Sequence, residues 1–451
     1  MGTLAVRRLR ELSHRELTML LERATEAIFD DELVRRVSAI ADDVRVHGDA
    51  ALVRALRRFD GVDCPPDRLR VEADEIETAR CHVPPPVLDA VRRGIASIRA
   101  FNERALENAS WTAELEPGVQ VGERARPIDS AGLFVPSGKG SFPSVLMHIG
   151  TPAVIAGVER IAVVVPPLSG RGLEIDPAVL AVAGELDLRD VFRANGPAGV
   201  AALAFGTETI PKVSKVVGPG SPAVTAAQIG IQASGCTTVM LFGPSESLIV
   251  ADDTSDPAVL AADLLNEAEH GADSASLVVT PSESLVVALD GEVEQKLARL
   301  PEPRRSFAAS AISRFGGAVL VDDLDEACSF ANAYAPEHLQ LVTRDPERLL
   351  EGIEHAGEIL LGPTPFAAAN YVLGVPATLP TGGFARVSSG VTARTFIKTS
   401  SIGRVSAEAL ESLAPAIVAL AEHEGFPAHA AAIEARGVGK ATGSGAKAGA
   451  R

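Results

Sequence analysis

Cysteine is scarce in this 451-residue chain, and Cys64, Cys81, Cys236 and Cys328 stand far apart with no CxxC spacing. That excludes a disulfide framework and a thiolate zinc centre, leaving reduced core cysteines. Aromatic residues make up only 4% of the chain, and 42 basic side chains face 59 acidic ones, for a formal charge of -17. A basic surface interleaved with aromatics is therefore missing, which excludes a nucleic-acid module and general attraction to an anionic membrane. Long apolar runs are absent as well. The stretch at 161–167 is too short to cross a bilayer, and the one at 216–243 is broken by glycine, proline and polar residues. The N-terminus lacks an uninterrupted apolar signal region, so the expected location is cytoplasmic. Neither a P-loop nor a G-x-G-x-x-G fingerprint occurs.

What is present is a chain with 46% hydrophobic residues, long enough for two or more packed domains. Up to about residue 120 it reads as charged amphipathic helices, such as SHRELTMLLERATEAIF and PPPVLDAVRRGIASIRAFNERAL. Then IAVVVPP, PAVLAVAGEL, DVFRA, GVAALAFG, VSKVVGPG and PAVTAAQIGIQA alternate as strands and crossover helices, the pattern of a mostly parallel, doubly wound α/β sheet. A second cycle follows. It predicts a helix in DPAVLAADLLNEAEHG, a strand in SASLVVTPS, and strand-then-helix in both ESLVVALDGEVEQKLARL and GAVLVDDLDEACSFANAYAPEH. Two helices meeting near Gly425 and Pro427 close the chain.

Chemistry concentrates in a few places. Glu267 and His270 are one helical turn apart, a spacing that suits a zinc-binding pair and equally a polar helix end capped by Gly271. Adjacent Glu337 and His338 follow Pro336, which places them at an exposed helix start, either as a proton-transfer pair or as a solvated cap. His423, Glu424 and His429 surround the bend between the last two helices. The loops FVPSGKGSFPS, with Lys139, and VVGPGSPAV can turn backbone N–H groups toward an anion, and His148 lies closest to the first.

In order, RPIDSAGLFVPSGKGSFPSVLMHIGTPAVIAGV, GTETIPKVSKVVGPG, FGPSESLIVADD, ADLLNEAEHGADS, APEHLQL, LPTGG and EGFPAHAAAIEAR resemble the histidinol dehydrogenase family over about residues 25–436. The resemblance implies an α/β fold of two incomplete Rossmann-like domains with parallel sheets and small helical terminal elements. The expected division is a helical segment at 1–24, a first domain of 25–127 with 243–385, a second of 128–242, a C-terminal arm at 386–440 and a flexible tail at 441–451. It also implies NAD, one zinc ion per subunit, and a homodimer in which the C-terminal arm completes the neighbour's site.

By the same resemblance His338 is the alcohol base and Glu337 activates water. Zinc falls to Glu267, His270, Asn370 and His429, where the family has glutamine at the first position and aspartate at the third. Substrate contacts fall to Ser245, Glu267, His270, His338, Asn370, Glu424 and His429. Cofactor contacts fall to Phe134, Ala198 and Ser221, in place of tyrosine, glutamine and asparagine. Ala377 stands where the family has a histidine. These departures lead to the expectation of an NAD-dependent alcohol dehydrogenase of this type whose small alcohol substrate is not L-histidinol, oxidised to the aldehyde and onward to a carboxylate. L-histidinol dehydrogenase of histidine biosynthesis is the alternative, and a noncatalytic ligand-binding homologue the second.

Overall fold

Runs such as IAVVV and SLIVA lack polar alternation, so both faces of each strand need cover, which helices on either side of a parallel sheet provide. The computed structural model describes residues 3–23, 30–137, 140–239 and 243–438; the expected tail at 441–451 and Lys139 lie outside them. The chain divides into one unit of residues 1–105 with 127–396 and another of 106–126 with 397–451.

The first unit contains two all-parallel sheets. The larger has β1 (Val6–Arg8), β8 (Glu246–Ala251), β9 (Ala275–Thr280), β10 (Gly317–Leu320), β11 (His338–Val342) and β12 (Glu358–Leu361), in the order β1-β10-β9-β8-β11-β12. The smaller has β4 (Ser130–Phe134), β5 (Arg160–Val165), β6 (Asp190–Arg193) and β7 (Lys215–Val217), in the order β6-β5-β4-β7. Helices α1 (His14–Glu22), α2 (Asp31–Ala55), α3 (Ala73–Ala79) and α4 (Pro85–Leu106) come first. Helices α5 (Pro143–Ala156), α6 (Pro177–Glu185), α7 (Gly196–Phe205) and α8 (Pro222–Ile231) accompany the smaller sheet. With the larger go α9 (Pro257–Ala268), α10 (Glu283–Leu297), α11 (Arg304–Arg314), α12 (Leu324–Tyr334), α13 (Pro346–Leu350) and α14 (Phe366–Tyr371). The second unit consists of β2 (Trp111–Glu116), β3 (Val119–Pro127) and β13 (Ile397–Val405), in the order β13-β3-β2, with α15 (Ala407–His423) and α16 (Pro427–Glu434).

Alternation along the strands divides the larger sheet's core between its two faces. Leu248 and Val250 pack with Leu339, Leu341, Ala327 and Ala331, while Ile249 and Ala251 pack with Leu260, Leu264, Leu285 and Leu289. The sequence-predicted α/β architecture of parallel Rossmann-like sheets with flanking helices is thus the observed one. No helix among the described residues is long and apolar enough to cross a membrane.

Several local expectations change. Residues 1–24 are not purely helical, because Val6–Arg8 pairs with β10 as an edge strand. Helix α2 packs on α7 and α8, with Val37, Val44 and Leu52 in one core with Val200, Leu203 and Val224, so it covers the smaller sheet and not the 243–385 segment it was grouped with. The helix bends at Gly48, whose φ is 52°; a Cβ there would lie 2.1 Å from a carboxylate oxygen of Glu208, which accepts the Asp49 N–H at 2.8 Å. The ESLVV segment forms helix α10 and not a strand. Ser282 caps it by accepting the Leu285 N–H at 3.2 Å, and Val287 simply faces solvent.

Candidate active site

Helix α12 is stopped by Ala335, which adopts a left-handed φ of 48°, and then by Pro336. The chain passes straight into β11. The APEH segment is therefore not the exposed helix start expected from Pro336: Glu337 is only 7% and His338 3% exposed. Strand pairing on both sides decides this, since His338 stands opposite Ser247 of β8 and Glu358 of β12.

Glu246, His338 and Glu358 are the first residues of β8, β11 and β12, so their side chains share the amino edge of one sheet. Helix α9 returns from the carboxyl end of β8 toward the start of β9, which brings Glu267 and His270 to that same edge. Open α/β sheets generally bind ligands at the carboxyl edge. Here the return helix and the amino edge carry the ionisable cluster.

The His338 ring is held from three directions. Its Nδ1 forms a short hydrogen bond with Glu358 Oε1, its Nε2 lies 3.7 Å from Glu337 Oε1, and Phe366 meets it edge-on with ring centroids 5.7 Å apart. Glu337 is fixed reciprocally with Glu246. Its Oε2 accepts the Glu246 N–H at 3.1 Å, while Glu246 Oε1 accepts the Glu337 N–H at 3.2 Å and the Gly382 N–H at 3.0 Å. The other Glu246 oxygen is 2.9 Å from Arg23 Nε, and the Arg23 guanidinium lies 3.5 Å from the Tyr334 ring centroid.

Burial raises the Glu337 carboxyl to about 8, with Glu267 and Glu246 adding to the effect against His338. Burial alone would lower His338, but Glu267, Glu337 and Glu358 outweigh it and lift the imidazole to about 10. Two neighbouring groups thus hold protons well above their ordinary ranges, as expected of a proton-transfer site.

Glu267 is buried on α9. Burial pushes its carboxyl upward, and His270 and His338, with hydrogen bonds from Asn370 and Asn266, bring it below the ordinary range. Its Oε1 accepts from Asn370 Nδ2 at 3.1 Å and from Asn266 Nδ2 at 2.7 Å, and its Oε2 lies 3.3 Å from His270 Nδ1. That last nitrogen is buried without a hydrogen-bond partner among the described residues. Ligands about 2.1 Å from a tetrahedral zinc are separated by roughly 3.4 Å, so Glu267 and His270 fit two of its corners. Among the described residues no group of three or more His, Cys, Asp or Glu side chains could hold a metal ion; what is assembled is this pair with the Asn370 amide beside it.

Helix α14, carrying Asn370, is tied in through His148, whose Nε2–H donates to the Asn370 carbonyl at 3.1 Å. Burial lowers His148 to about 4, which keeps it neutral, and its Nδ1 has no hydrogen-bond partner among the described residues. Ser245 is half-buried just ahead of Glu246, and Ala377 is half-buried in the segment after α14. Of the expected cofactor residues, Phe134 ends β4, Ala198 lies in the first turn of α7 and Ser221 is the exposed N-cap of α8. All three stand at the carboxyl edge of the smaller sheet, where strand order reverses between β4 and β7. The Phe134 ring is buried in the core, whereas the Ser221 side chain makes no capping bond. Glu424 and His429 belong to the second unit, both exposed, at the end of α15 and in the first turn of α16.

The sequence reading missed Glu246, Glu358 and Arg23. The first two share a signal that could have revealed them: a lone carboxylate immediately before an apolar strand, in ESLIVA and EILL. A family model described as histidinol dehydrogenase matches residues 23–437. The chain belongs to the histidinol dehydrogenase family. It is 39% identical to a histidinol dehydrogenase from Synechocystis sp. over 95% of this chain and 99% of that one. It is 41% identical to a histidinol dehydrogenase homolog from Rhizobium meliloti over 94% of this chain and 92% of that protein. The crystal structure of histidinol dehydrogenase from Elizabethkingia anophelis superposes with a TM-score of 0.90 at 32% identity, covering 97% of this chain and 98% of that one.

These end-to-end likenesses overturn the expectation, drawn from Ala377, Phe134, Ala198 and Ser221 together with Glu267 and Asn370, of an alcohol substrate other than L-histidinol. The physical reason lies in the pair itself. Glu267 and Asn370 contact each other, so one carboxylate and one amide stand side by side and each residue offers an oxygen, the donor type that the expected glutamine and aspartate would also offer.

Proposed function

We propose that the chain is an L-histidinol dehydrogenase, oxidising L-histidinol through the aldehyde to L-histidine with two NAD. The observation that carries this is the buried Glu337–His338 pair, fixed beside Glu267 and His270 in a chain matching the family from end to end. His338 takes the alcohol proton at Nε2. Glu337, locked by the Glu246 N–H, removes a proton from the water that adds to the aldehyde in the second oxidation.

Glu267, His270 and Asn370 would hold zinc, with His429 supplied by the C-terminal arm of a second copy in a homodimer. Glu424 on that arm and Ser245 would contact the substrate. When bound, zinc polarises the substrate oxygen and its charge favours the neutral imidazole, while NAD accepts the hydride. With Phe134, Ala198 and Ser221 at the cofactor positions, the backbone N–H groups at the starts of α7 and α8 take over the polar recognition that longer side chains would provide. Ala377 leaves the imidazole of L-histidinol to be held by the remaining contacts.

The test is NADH formation from L-histidinol. His338→Ala should lower kcat by about 10²- to 10⁴-fold, the range for losing a positioned base. Wild-type protein that binds NAD yet leaves L-histidinol unoxidised, or an unimpaired His338→Ala variant, refutes the reading.

A further inference from the structure

We propose that Glu358 is a positioning residue for proton transfer, holding the His338 ring in the tautomer and orientation that present Nε2 to the substrate. This rests on the reading of His338 as the alcohol base. Backbone geometry puts the carboxylate in place. The Gly357 N–H donates to the Pro336 carbonyl at 2.9 Å and the Glu358 N–H to the Glu337 carbonyl at 3.0 Å, closing the start of β12 onto the turn that precedes β11. A Cβ at residue 357 would lie 2.5 Å from the Glu337 carbonyl oxygen, so the approach requires glycine. In the resulting register Glu358 faces His338, and both side chains are 4% exposed.

With the Glu358 carboxylate as acceptor, the shared bond selects the tautomer that carries its proton on Nδ1, which in the neutral ring confines the lone pair to Nε2. Nε2 is the nitrogen on the Glu337 side. As the alcohol carbon loses hydride to NAD and its O–H bond breaks, the proton passes to Nε2, and the imidazolium so formed keeps its Nδ1–H on Glu358. The second carboxylate oxygen, Oε2, is buried without a hydrogen-bond partner among the described residues. The His338 ring is thus the side chain to which this carboxylate is hydrogen-bonded, through its other oxygen.

The experiment uses the full chain with NAD and L-histidinol, comparing Glu358→Gln and Glu358→Leu in wild-type and His338→Ala backgrounds. Glu358→Leu should lower kcat on the order of 10²-fold with KM little changed. Glu358→Gln, whose amide oxygen still accepts from Nδ1–H, should restore about tenfold of that loss. In the His338→Ala background neither substitution should matter further. Equal losses with and without His338, or wild-type kcat in Glu358→Leu, overturn the proposal. Should His338→Ala itself be fully active, the alcohol-base reading fails, and the low-field NMR signal of the His338 Nδ1 proton still decides the orienting contact. Its presence in wild type and loss in Glu358→Leu support that contact; its absence from wild type, or persistence in the leucine variant, overturns it.

Discussion

Arg23 and Glu246 form an ion pair 2.9 Å apart in which the side chains are only 4% and 3% exposed. Replacing Arg23 with methionine leaves the Glu246 carboxylate buried and unpaired, which costs about 3–5 kcal/mol. With an unfolding entropy of about 2.1 cal/mol/K per residue, the 451-residue chain has roughly 0.95 kcal/mol/K, so the melting temperature should fall by about 3–5 °C. The double variant Arg23→Met, Glu246→Gln removes both charges. Its amide oxygen still accepts the Glu337 and Gly382 N–H groups, so scanning calorimetry should find most of the loss recovered. Acidity supplies a second readout. Burial raises the Glu246 carboxyl, opposed by Arg23, so removing Arg23 raises it further. A raised carboxyl pKa lets the folded state bind protons that the unfolded state has released, and stability then grows as pH falls. The deficit of Arg23→Met should therefore shrink from about pH 8 to about pH 5. A single variant melting within about 1 °C of wild type, or a double variant as unstable as the two single losses combined, would refute the reasoning.

Three further outcomes are expected. His148 is neutral when folded, with a pKa of about 4 against an ordinary 6.5, so stability present above 6.5 is lost as pH falls toward 4, by up to roughly 3 kcal/mol. Urea midpoints for His148→Leu at neutral and acid pH should lack that component. Glu337 is raised to about 8, and as the proposed water-activating base it would work deprotonated, so conversion of the aldehyde to L-histidine should accelerate as pH rises through about 8, a limb that Glu337→Gln abolishes in stopped-flow pH profiles. Gly357→Ala places a methyl 2.5 Å from the Glu337 carbonyl, and the displaced pair should lose on the order of 10²-fold in kcat while far-UV circular dichroism stays unchanged.

The sequence by itself determined the alternation of apolar strands with helices, because burial on both faces of a parallel sheet leaves uninterrupted runs such as IAVVV. It determined the family through ordered local motifs, and it singled out Glu267, His270, Glu337 and His338 as neighbours along the chain. It misjudged ESLVV, where a serine cap outweighed two valines, and APEH, where strand pairing on both sides outweighed the helix-start signal of proline. Only the tertiary structure decided that Glu246, His338 and Glu358 open three strands of one sheet, and that Arg23, hundreds of residues from Glu246, neutralises it. It also decided that Glu267 and Asn370, about a hundred residues apart in the chain, touch each other. Residue identity and local spacing specify what a side chain can do, whereas its protonation and partners depend on burial and on neighbours supplied by strand register, and those neighbours come from parts of the chain that no local pattern connects.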